Sequence, residues 1–184
     1  MDASARFPLP DFVNLRHSGP YQPPTGNAQL LLEATLQSTA LVLITPAYWH
    51  SLPASAKLYL DHWSAWLRTP DLDFHARMQG KTPWAITVSS GARAEAQPLK
   101  DTLTLTAQYL RMHWNGLLFG TGSRPNDVQG DALSLHQARS FFSMVSAPWL
   151  AIAIAGWLPK SPRCYRKGLF SRWQIRRRPA GPAA

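Results

Sequence analysis

A single cysteine, Cys164, in 184 residues excludes an intramolecular disulfide and any cysteine-built metal cluster, and it is the usage expected of a protein kept in a reducing cytoplasm. The histidines are equally uninformative for metal chemistry. His17, His50, His62, His75, His113 and His136 are scattered with no ligand spacing, so no metal is expected. No paired carboxylates or nucleophile triad stand out either, and no side chain is singled out as catalytic. The first residues contain Asp2, Arg6 and several prolines but no apolar core segment, which argues against a secretory signal. One uncharged stretch, residues 140–159, approaches the ~20 residues of a membrane-spanning helix. Pro148, Gly156 and Pro159 break it into pieces too short to span, so core packing or surface contact is preferred, and membrane contact through this segment is not favoured.

Acidic residues cease early, none following Asp131. Arg139, Lys160, Arg163, Arg166, Lys167, Arg172, Arg176, Arg177 and Arg178 come after it, so nearly all of the net charge of +9 belongs to the tail. The body is close to neutral. Specific nucleic-acid recognition therefore has no support, although a basic tail interleaved with Tyr165 and Trp173 suits a phosphate-bearing surface. An extension with no selected role explains the same composition.

What is present is an alternation of buried strands and amphipathic helices. Leu41–Ile44 is a short apolar run suited to a strand buried on both faces of a parallel sheet, ended by Thr45-Pro46. Leu52, Leu58, Leu60, Trp63 and Trp66 then recur at helical spacing, predicting a helix from about Ala54 to Leu67. Ahead of the strand, Ala28–Leu36 reads as a helix with Asn27 as its cap. Residues 71–79 read as a polar connector, Trp84–Val88 as a second strand and Gln97–Trp114 as a long helix stopped by Asn115-Gly116. Leu117–Phe119 reads as a third strand and Asp131–Phe142 as a last helix. Such alternation implies an α/β fold with right-handed parallel crossovers. Ligands of these sheets lie outside the carboxyl ends of the strands, where the loops Pro46–Pro53 and Ser89–Ala92 fall.

At Thr45, Pro46, Tyr48, Trp49, Ser51, Pro53, Lys57 and Asp61 the chain resembles the NADPH-dependent FMN reductase family, whose third strand and loop read T-P-x-Y-W-x-S-x-P before a helix with K-x-x-x-D. Gly80–Gly91 is similar to that family's fourth strand and second flavin loop, and Gly116–Gly122 to its fifth strand. The resemblance implies a flavodoxin-like, three-layer α/β/α domain over residues 28–142, preceded by an irregular segment 1–27 and followed by an apolar, then basic, extension 143–184. It also implies FMN as cofactor, NAD(P)H as co-substrate and a small-molecule electron acceptor. Pro46, Ala47, Tyr48, Trp49, His50 and Ser51, with Ser89, Ser90 and Gly91, are the cofactor-binding residues it implies. Taken without the resemblance, Tyr48 and Trp49 are equally packed loop aromatics, and Ser89–Gly91 an ordinary strand-to-helix turn.

The family opens with a central strand and a Ser- or Gly-rich loop that holds the FMN phosphate, and residues 1–27, with five prolines, contain neither. The expectation is an N-terminally truncated domain. Losing two or three hydrogen bonds to a phosphate would remove roughly 3–9 kcal/mol of binding. The strand Leu41–Ile44, without its neighbour, would be an exposed apolar edge and draw copies of the chain into a homo-oligomer. From another class, a non-enzymatic remnant, acting as an interaction module whose basic tail contacts an anionic surface, accounts for the same departures.

Overall fold

A computed structural model describes residues 8–15, 17–142 and, as backbone, 149–153. Expectations for residues 1–7, 143–148 and 154–184, including the basic tail, lie outside the described residues. Helix α1 (Gly26–Gln37) leads into strand β1 (Ala40–Ile44), followed by α2 (Ala54–Trp66), the short α3 (Phe74–Met78), β2 (Thr82–Ser89), α4 (Gln97–Tyr109), β3 (Leu117–Thr121), α5 (Ala132–Phe141) and β4 (Trp149–Ala153). The four strands form one parallel sheet in the order β3-β2-β1-β4.

Alternation along β1 divides the core. Leu41 and Leu43 face one side with Ala85 of β2, packed by α1, α2, α3 and α4, whereas Ala40 and Val42 face the other with Trp84, against Phe141 and Phe142 at the end of α5. The layering follows from handedness. The chain steps from β1 to β2 to β3 in one direction and must return across the sheet to reach β4, so a right-handed crossover puts α5 on the opposite face. On α2, Tyr59, Trp63 and Trp66 are buried in edge-on contact, with Phe74 of α3 at 5.8 Å and 5.5 Å from the two tryptophans.

Several expectations are corrected. The connector 71–79 contains α3, which Phe74 and Met78 anchor by burial that a count of polar residues conceals. Asn27 is no cap: α1 starts from Thr25, and the Asn27 amide instead donates to Pro8 O at 2.9 Å. Helix α4 ends before Asn115, because Arg111 adopts a left-handed φ of 54°. Met112 N then donates to Ala107 O at 2.9 Å and Arg111 N to Gln108 O at 3.0 Å, the Schellman pattern with arginine where glycine is usual. Most consequentially, β1 is not an edge. It pairs with β2 from Ala40↔Thr82 to Ile44↔Ile86 and with β4 from Ala40↔Trp149 to Ile44↔Ala153, so a strand cut from residues 140–159 covers the side expected to be bare.

Candidate active site at the carboxyl edge of the sheet

Two backbone bonds carry β1 past its end. Thr45 N donates to Ile86 O at 3.0 Å and Ala47 N to Val88 O at 3.4 Å, which holds Pro46 and Ala47 half-buried against the sheet. The chain then reverses tightly, Tyr48 and Ser51 exchanging N–H···O bonds of 3.0 Å each. Closing so short a turn puts Trp49 at φ 50° and His50 at φ 63°, left-handed conformations that cost non-glycine residues of order 1–3 kcal/mol each. The turn displays its aromatics: Tyr48 is 43% and Trp49 94% exposed. Backbone amides of Trp49 and His50 find no acceptor among the described residues.

The second loop lies beside the first. Ser89 ends β2, and its hydroxyl accepts from Gly91 N at 3.2 Å, while the Ser90 amide also lacks an acceptor among the described residues. A Cβ on Gly91 would run into the Glu95 carboxylate, so glycine keeps this backbone accessible. His50 Nδ1 lies 3.2 Å from Glu95 O and, since a carbonyl only accepts, it donates there and pins the two loops together. Pro46 through Ser51 and Ser89 through Gly91 thus share one edge, as their spacing implied. Arg93 does not point free into it. Its guanidinium donates to Phe119 O at 3.4 Å and Gln137 Oε1 at 3.2 Å and covers the Phe119 ring at 5.4 Å.

The loop after β3 is of another kind, and two of its functional groups escaped the sequence reading. Asp131 caps α5, accepting from Ser134 N at 3.0 Å and its hydroxyl at 2.6 Å, and reaches back to Thr121 N at 2.9 Å. Those bonds, led by the Ser134 hydroxyl, hold its carboxyl far below the usual carboxylate range. Asp127 accepts from Ser123 N at 3.0 Å and Arg124 N at 2.8 Å, which lowers its pKa too. An open depression of about 470 Å³ lies here, lined by Ser90, Thr121, Gly122 and Ser123 with both carboxylates. The signal available in the sequence was Asp131 three residues ahead of Ser134, a capping spacing. Among the described residues no three metal-ligating side chains converge, and no helix is long and apolar enough to cross a membrane.

A parallel sheet flanked by helices on both faces, with unspent backbone donors and aromatics in neighbouring strand-end loops, is a flavodoxin-like architecture. The chain belongs to the NADPH-dependent FMN reductase family, whose model matches residues 4–120. It is 30% identical over 138 residues to the putative NAD(P)H-dependent FMN-containing oxidoreductase YwqN of Bacillus subtilis, covering 73% of this chain and 74% of that one. A Trp repressor binding protein from Bacillus subtilis has a similar solved structure, with a TM-score of 0.62 and 28% identity over 65% of this chain and 78% of that one. An NADPH-quinone reductase from P. pentosaceus aligns with a TM-score of 0.47 and 18% identity over 65% and 76% of the two chains. Membership makes the chain an oxidoreductase with FMN as cofactor and NAD(P)H as reductant, serving a small-molecule acceptor.

Proposed function

We propose that FMN binds across the Pro46–Ser51 and Ser89–Gly91 loops and that the chain reduces a quinone, nitro compound, azo dye or free flavin at that edge. The observation carrying this reading is the pair of unspent amides at Trp49 and His50, in a turn held at positive φ, beside the unspent amide of Ser90 in the neighbouring loop. Flavin rings present carbonyl oxygens and ring nitrogens that such amides satisfy, so the residues present fit the cofactor. Bound FMN supplies the two-electron chemistry, accepting hydride from the nicotinamide and passing it on.

What remains to the protein is binding and orientation. Tyr48 and Trp49 border the ring plane, while Pro46 and Pro53 hold the loop in place. The amides of Trp49 and His50 donate to one polar edge of the ring. Ser89 holds Gly91 through its hydroxyl, and Gly91 admits the ring close to the backbone. No side chain need exchange a proton with the ring, since the flavin carries the hydride chemistry itself. A cytoplasmic location belongs to the same reading, supported by the lone Cys164. So does a homo-oligomer, supported by the bare indole of Trp49, which a second copy near the flavin would shield.

Titration of the purified chain with FMN, followed by flavin fluorescence and visible absorbance, tests the site. Saturable binding that weakens about tenfold in Tyr48→Ala and in Trp49→Ala is the expected result. Equal binding by all three proteins would move the flavin elsewhere.

A further inference from the structure

Residues 48–51 carry two of the open donors of the candidate flavin site, yet little holds them in place. All four are exposed, and the backbone bonds between Tyr48 and Ser51 lie within the turn itself. The bonds that extend β1 stop at Ala47, which donates to Val88 O, and burial resumes only at Leu52 and Pro53. Between these points, among the described residues, one hydrogen bond ties the turn to another part of the chain. It is the contact of His50 Nδ1 with Glu95 O at 3.2 Å.

The strain in the turn makes that bond matter. Trp49 at φ 50° and His50 at φ 63° both gain by relaxing to ordinary backbone, and such conformations persist only where their surroundings impose them. The other end of the bond is well anchored. Glu95 belongs to the short 3-10 turn Arg93–Ala96, which follows the second loop, donates from Glu95 N to Ala92 O at 2.9 Å, and runs through the buried Ala96 into α4. A side chain of the first loop therefore grips the segment that leaves the second, and the length of that grip sets how far apart the two loops stand.

We propose that His50 is a positioning residue for the cofactor, its imidazole clasping the two loops so that the open amides of Trp49, His50 and Ser90 stand at the spacing one planar ring requires. This rests on the flavin reading above and adds a task for a side chain which that reading uses only through its backbone. A chain whose turn has relaxed does not take up the ring, so the apparent dissociation constant is the intrinsic one divided by the competent fraction. Losing the clasp lowers that fraction and slows association. Dissociation starts from the seated state, where the turn is already in shape, and keeps its rate.

Stopped-flow mixing of the full-length chain with FMN, read by flavin fluorescence, separates the two rates. His50→Ala is expected to slow association about fivefold, the net worth of one hydrogen bond, with the dissociation rate unchanged. His50→Asn places an amide N–H the same number of bonds from the backbone as Nδ1 and tolerates a positive φ, so it should restore the wild-type rate. Association of His50→Ala at the wild-type rate overturns the proposal. An equal defect in His50→Asn overturns it as well, because the clasp needs the N–H and not the ring. A loss confined to faster dissociation also overturns it, since it would make His50 a direct flavin contact. In these three outcomes the ring site stands, whereas failure of the wild type to bind FMN brings down the ring site and the clasp with it.

Discussion

The loop after β1 and the loop after β3 leave the same sheet at the same edge and solve the same problem in opposite ways. Each must satisfy backbone amides that no strand partner reaches. The β3 loop does so from within: Asp127 and Asp131 accept from the amides of Thr121, Ser123, Arg124 and Ser134. The β1 loop leaves the amides of Trp49 and His50 open and holds both residues at positive φ, which raises its own free energy. A loop that has already accepted its own anions offers little to a ligand. One that stores strain and unspent donors is arranged to be completed by something else.

The contrast is broken most severely at Gly91. Gly91→Val should lower FMN affinity about a hundredfold, because a branched side chain displaces the Glu95 carboxylate and fills the approach to the second loop. Glu95 is exposed and free to swing, so the melting temperature should hardly move, and calorimetry beside the titration checks both. Asp131→Asn should do the reverse, lowering the melting temperature by several degrees at neutral pH while leaving FMN affinity within about twofold. The Asp131 carboxyl has a folded pKa below its unfolded value of about 3.9, so its stabilisation is fully present above that value and is lost as pH falls through it toward the folded one. Melting curves between pH 7 and pH 2 should accordingly show a shallower acid limb in the variant. Trp49→Gly should split the two properties with opposite signs. Relief of the left-handed strain should add about 1 kcal/mol, or ~2–4 °C, while loss of the indole weakens FMN about tenfold.

Much of the fold was legible because its signals are local. The run Leu41–Ile44, the helical spacing of Leu52 to Trp66 and the turn chemistry of Thr45-Pro46 each bear on one element and agree with each other. The Pro46–Ser51 loop was legible for the same reason, being fixed by its flanking prolines and its place after a strand. What escaped depends on partners distant in sequence. Arg111 ends α4 as a left-handed cap that its residue type does not announce, and α3 exists because Phe74 packs against Trp63 and Trp66. β4 was hidden inside a run long enough to suggest a membrane segment. Its backbone pairs instead with β1 in a parallel sheet, and strands of such sheets read as continuous hydrophobic stretches just as a spanning helix does.

The smallest expected effect concerns residues that match the family pattern without entering the site. Lys57 and Asp61 fit its K-x-x-x-D spacing, and the structure pairs them one helical turn apart on α2, with more than half of the Lys57 side chain exposed. An exposed i,i+4 ion pair contributes about 0.3–0.5 kcal/mol, because water screens it and both side chains lose freedom in forming it. The helix they sit on is held by Tyr59, Trp63 and Trp66, not by this pair. Lys57→Ala should therefore shift the melting temperature by about 1–2 °C at most and leave FMN affinity unchanged. A larger loss of FMN affinity in that variant would show that the turn at Trp49 and His50 depends on the first turns of α2 for its position, and would extend the contrast between the two loops from their own bonds to the helices that follow them.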